Sequence, residues 1–130
     1  MKELIVFTNS SINDKLNSQS SVFPMTPVGY GVGAANGYVA VPKDHPYYGL
    51  GYDDVDVDVH GGLTYSASGE DVLESSPSID ILEGNEGNLK DYWVFGFDTC
   101  HYGDTLETWP MKAVISETLN LKRQLEEAYE

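Results

Sequence analysis

Cations are scarce in this chain: its 130 residues hold 7 Lys and Arg against 21 Asp and Glu, a formal charge of -14 with the three histidines neutral. A surface of that sign repels phosphate backbones and lacks the counterion release that drives nucleic-acid binding, so direct contact with DNA or RNA is not expected. Long apolar runs are missing too. No stretch approaches the ~18 residues of a membrane helix, and Leu4-Ile5-Val6-Phe7 is too short, and lacks the small-residue cleavage site, for a signal peptide. The expectation is an intracellular protein with no membrane segment. A single cysteine, Cys100, forbids an internal disulfide and agrees with a reducing compartment.

Several catalytic signatures are also absent. There is no Gly-x-Ser-x-Gly elbow, no glycine loop ending in Lys-Ser or Lys-Thr, and no cysteine pair with zinc-finger spacing. Gly29, Gly31 and Gly33 imitate a dinucleotide fingerprint, but no helix opens after them. Asp54-x-Asp56-x-Asp58 imitates a calcium loop, yet Val59 stands where its glycine belongs and Tyr65 where its bidentate Glu belongs.

What the chain does have is packing material: an apolar fraction of 41%, with nine Tyr, four Phe and two Trp, is too rich for a disordered protein despite the charge. One domain spanning residues 1–130 is expected. A chain of this length buries about two thirds of its unfolded surface, so it needs no metal merely to fold. The run Glu3 to Thr8 reads as a strand, Asn9 to Ser21 as a polar loop, and Tyr38-Val39-Ala40-Val41 as a second strand ending at Pro42. Asp54-Val55-Asp56-Val57-Asp58-Val59-His60 alternates strictly, which predicts a strand with three valines on one face and three aspartates leading to His60 on the other. Gly61-Gly62 breaks it, and Leu63 to Ser66 resumes it. Residues 67 to 91 read as a flexible acidic excursion, Tyr92 to Asp98 as an aromatic central strand, and about 110–128 as an amphipathic helix. Its stripe is Val114, Thr118, Leu121, Leu125 and Ala128, with Pro110 in the first turn and Thr108 as a plausible cap. The fold class is therefore α+β: a mostly antiparallel sheet of short strands with the C-terminal helix packed on it.

The side chains with chemistry are His45, His60, Cys100 and His101, each near a turn or a carboxylate. Asp98-x-x-His101 can set two metal ligands on one turn, His60 can arrive from a neighbouring strand end, and His45 or Cys100 can complete a tetrahedral zinc set. Asp104 suits an outer-shell acceptor that orients a histidine. The plainer reading is that histidines near Gly and Pro turns bond backbone carbonyls, and that the charge confers solubility alone. A third reading makes Cys100 a nucleophile activated by His101 or His60, against which stands the acidic surroundings that disfavour a thiolate.

Four blocks together carry a resemblance: Gly37-Tyr38-Val39-Ala40-Val41-Pro42; His45-Pro46-x-Tyr48-Gly49; Asp58-Val59-His60-Gly61-Gly62-Leu63-Thr64-Tyr65; and Trp93-x-x-Gly96-Phe97-Asp98-x-x-His101-x-Gly103-Asp104. They resemble a family of small proteins from phages, prophages and their bacterial hosts, over about residues 37 to 66 and 92 to 125. The acidic charge makes the chain similar to the streptococcal-phage branch, which includes a zinc-containing anti-CRISPR inhibitor of the type II-A Cas effector nuclease. The resemblance implies His60, Asp98 and His101 as zinc ligands, with His45 the next candidate. It further implies a partner protein with a basic surface, action in the host bacterial cytoplasm, blocked loading of target DNA, and no enzymatic activity. Thr99 stands where other members carry their cysteine, which puts a role for Cys100 in doubt. The alternatives are a small metal-dependent hydrolase and an acidic, metal-free interaction protein.

Overall fold

A computed structural model describes residues 3–11, 13–14, 32–75, 78–101 and 103–129 of the chain. Its strands are β1 (Ile5–Asn9), β2 (Asn36–Val41), β3 (Tyr65–Ser68), β4 (Asp80–Glu83) and β5 (Trp93–Phe97). They form one sheet in the order β3-β5-β2-β1-β4, and every pairing is antiparallel. Two helices accompany it, α1 (Gly69–Ser75) and α2 (Met111–Ala128), together with 3-10 turns at Tyr52–Asp54 and Glu86–Asp91. This is the α+β arrangement expected from the sequence.

Alternation along the inner strands explains why both faces of the sheet are covered. Successive strand residues point to opposite sides. Leu4, Val6, Val39, Val41, Phe95 and Phe97 fall on one side and join Leu121 and Leu125 of α2 in one core cluster. Ile5, Phe7, Ala40 and Val94 fall on the other, where Val72 of α1 and Leu89 of the second 3-10 turn close over them. The helix α2 buries Val114, Thr118, Leu121 and Leu125, a stripe with the 3.6-residue period. It sits close on β2 because Gly37 offers no side chain: a Cβ there would stand 2.1 Å from Thr118 Oγ1. Among the described residues no helix is long and apolar enough to cross a membrane.

Three local expectations differ from the structure. The alternating segment 54–60 joins no sheet: Asp54 ends the 3-10 turn and His60 opens the next turn. Val55 and Val57 pack against the first core cluster and Val59 is buried in it, while side chains of α2 take the place of a neighbouring strand. Gln124 Oε1 accepts from the Asp58 N–H at 2.8 Å, and Gln124 Nε2 donates to the Asp58 carbonyl at 2.8 Å. An alternating pattern dictates an extended chain with one buried face, and an amide-bearing helix can satisfy that as well as a strand can.

The stretch 67–91, read as a flexible excursion, carries α1, β4 and a 3-10 turn. Val72 and Leu89 anchor it in the second cluster, with Ile79 and Ile81 packed against them. Helix α2 starts with Pro110 as N-cap and has no side-chain cap bond. Thr108, the expected cap, instead accepts from the Thr105 N–H at 2.9 Å and donates to the Gly103 carbonyl at 3.1 Å. The loop expected from Asn9 to Ser21 lies largely outside the described residues. Within it, Asn13 is fully buried and donates to the Gly33 carbonyl and Thr99 Oγ1 at 3.0 and 3.1 Å.

Candidate metal centre

Two turns meet beyond the end of β5. The first follows the extended segment, where Gly61 and Gly62 take φ of +70° and +78° and reverse the chain, and the Gly62 N–H donates to the Val59 carbonyl at 2.9 Å. Left-handed backbone at consecutive positions is cheap only for glycine. Gly61 has a second reason to lack a side chain, since a Cβ would stand 2.4 Å from Cε1 of His101, whose ring lies against it. The second turn, Asp98 to Asp104, leaves β5 and is held from below. Thr99 is buried, its hydroxyl donating to the Ala35 carbonyl at 2.7 Å, and its carbonyl accepts from the Gly33 N–H at 2.8 Å.

These turns bring His60, His101 and Asp104 together, with one potential ligand atom from each lying within 4.8 Å of the others. Asp104 is the hub. Its Oδ1 and Oδ2 lie 2.9 and 3.0 Å from His60 Nε2, and Oδ2 lies 3.0 Å from His101 Nδ1. Oδ2 also accepts from the His101 N–H at 2.9 Å. The side chain of Asp104 is 5% exposed, against 22% for His60 and 35% for His101, so a buried carboxylate sits behind two half-exposed imidazoles. Burial pushes the Asp104 carboxyl up, but its hydrogen bonds to the His101 N–H and to the two rings outweigh that and hold it below the ordinary carboxylate range. Trp109 packs on His60 with ring centroids 4.0 Å apart and the planes tilted by 35°. The His60 N–H donates to Glu117 Oε2 of α2 at 3.0 Å. Neither Trp109 nor Glu117 stood out in the sequence, where each reads as an ordinary core or helix-surface residue.

The donor set suits a metal ion. Two imidazoles and one carboxylate are common ligands of zinc and other first-row divalent ions, and the half-exposed rings leave one side open. The cluster can therefore hold a metal ion, with the buried Asp104 as the fixed member and the two rings as the adjustable ones.

The other expected ligands lie differently. Asp98 is beside the cluster, its Oδ1 3.4 Å from His101 Nε2 and accepting from the Cys100 N–H at 3.1 Å. His45 stands apart from the site and has no nitrogen free for a metal. Its Nε2–H donates to the Leu125 carbonyl at 2.8 Å, and its Nδ1 accepts from the Tyr47 N–H at 2.9 Å. The Leu125 carbonyl belongs to the last turn of α2, where carbonyls lack helical partners. His45 thus serves the plainer role weighed for it, tying the loop after β2 to the helix end. Cys100 is exposed and outside the convergent group. Partial desolvation of the sulfur, then the carboxylates of Asp98 and Asp104, push its thiol up, which opposes both the nucleophile and the thiolate ligand.

No family model, curated protein or solved structure matches the chain, so the chemistry of the site rests on its own residues.

Proposed function

We propose that this chain is a phage-encoded, non-enzymatic inhibitor that binds a type II-A Cas effector nuclease and blocks loading of target DNA in the host bacterial cytoplasm, with a structural Zn2+ at His60, His101 and Asp104. The observation that carries the reading is an acidic ledge. Asp53, Asp54, Asp56 and Asp58 are all exposed on the segment that leads to His60. Among the described residues none of the four is in an ion pair. The segment is held on α2 at Asp58, whose backbone bonds Gln124 and Asn120.

A Cas effector holds its guide–target duplex in a positively charged channel, read by backbone geometry. A group of exposed carboxylates is complementary to such a surface and steers encounter with it. The resemblance of the His60 and Asp98-to-Asp104 blocks to the phage family supports the choice of effector. Incubation of the purified protein with a type II-A Cas nuclease and its guide tests the reading: co-elution and reduced cleavage of target DNA are expected, and separate elution with undiminished cleavage sinks it.

The partial exposure of the histidine pair supports a second reading, a small metal-dependent hydrolase in which His60, His101 and Asp104 would hold a metal that lowers the pKa of water. Chelator-sensitive hydrolysis of model phosphodiesters or esters by the zinc-loaded protein would favour it over the inhibitor.

A further inference from the structure

The two nitrogens of His101 face two different carboxylates. Nδ1 lies 3.0 Å from Asp104 Oδ2, inside the cluster, and Nε2 lies 3.4 Å from Asp98 Oδ1, outside it. We propose that Asp98 is a positioning residue rather than a ligand: it accepts the Nε2–H of His101 and thereby presents the Nδ1 lone pair to a metal held with His60 Nε2 and Asp104. The roles of the two aspartates are thus the reverse of what spacing along the chain suggests. This rests on the metal reading above and specifies how the protein holds the ion.

A neutral imidazole carries one proton. Without a metal the ring donates it from Nδ1 to Asp104 Oδ2; moved to Nε2, toward Asp98, it leaves two lone pairs facing each other, which repel unless a cation lies between them. A metal ion shared by Nδ1, Asp104 and His60 relieves the repulsion, and it does so only for the tautomer Asp98 selects. The carboxylate–histidine–metal relay is the usual way a second carboxylate fixes ring orientation and raises ligand basicity. The surroundings support it. Asp98 Oδ1 accepts from the Cys100 N–H, and the His101 ring lies against Gly61. At 3.4 Å the Asp98 contact is longer than the usual hydrogen bond of about 2.9–3.0 Å, so the proposal requires the Asp98 carboxylate to move a few tenths of an ångström toward the ring when the metal binds.

The test is zinc titration of the full chain by calorimetry, with long-range 1H–15N correlation of the histidine rings in the zinc-loaded protein. His101 should ligate through Nδ1 and keep a proton on Nε2. Asp98→Ala should weaken zinc about 10–100-fold, Asp98→Asn, which keeps an acceptor oxygen, should recover most of that, and Asp104→Ala should abolish uptake. Ligation through Nε2, or loss of zinc in Asp98→Ala as complete as in Asp104→Ala, overturns the positioning role while leaving the metal site standing. Unchanged affinity in Asp98→Ala overturns it as well. Failure of the unmodified protein to take up zinc overturns the metal reading itself, and the positioning role with it.

Discussion

At the residue scale, the three histidines do two jobs, and local partners decide which. His60 and His101 share the carboxylate of Asp104, whereas His45 spends both nitrogens on backbone and packs its ring edge-on against Tyr129, centroids 4.9 Å apart. Burial pushes the His45 imidazole below its ordinary value of about 6.5, against the opposing pull of the Leu125 carbonyl. The unfolded chain therefore binds a proton at a higher pH than the fold does. The stability that neutral His45 contributes is fully present above about pH 6.5 and declines as pH falls below it. His45→Gln should thus be less stable than the unmodified protein at pH 7.5, and the gap between their melting temperatures should narrow toward pH 5. A gap that stays constant with pH would mean that His45 does not titrate between the folded and unfolded states.

At the element scale, the two glycines after His60 make different demands, which substitution separates. Both have positive φ, so alanine at either costs about 1–2 kcal/mol of backbone strain. Only at Gly61 does the new Cβ meet the His101 ring; at Gly62 nothing lies within 4 Å. Gly61→Ala should lose zinc affinity by at least about tenfold, the effect of disturbing a ligand's support, while Gly62→Ala should lose stability and keep its affinity. Equal affinity in the two variants would separate the His101 ring position from metal uptake.

Helix α2 was legible from its 3.6-residue stripe, and β1, β2 and β5 from short β-branched and aromatic runs. The segment 54–60 was legible as a chain with its valines inward and its aspartates outward, but not as one laid on a helix rather than in a sheet, because alternation does not specify what sits beside it. Helix α1 was not legible at all, since seven residues with Val72 as their sole large buried side chain make no period. For the site, spacing brought His60, Asp98 and His101 into view as ligands and Asp104 as an outer-shell acceptor, whereas the structure gathers His60 and His101 around Asp104. Spacing along the chain does not show which nitrogen of His101 faces which aspartate.

At the scale of the whole molecule, the charge of -14 is arranged as well as abundant. One group of carboxylates lies on the ledge before His60. Another lies on the elements from α1 to the second 3-10 turn, where Glu70, Asp71, Glu74, Asp80, Glu86 and Asp91 are exposed. Exposed charges contribute little to stability. Replacing Asp53, Asp54, Asp56 and Asp58 together by Ser should therefore leave the melting temperature within a few degrees. If the ledge is the contact surface, the same change should weaken binding to the effector at least tenfold and flatten its dependence on salt. Unaltered binding would shift the contact to the second acidic group.

The measurement that tests the central claim most directly is cleavage of target DNA by a guide-loaded type II-A Cas nuclease, with this protein added before or after the DNA. Inhibition when the protein is added first, and little when the DNA is already loaded, is the result the account predicts. Equal cleavage with and without the protein, whatever the order of addition, would contradict it.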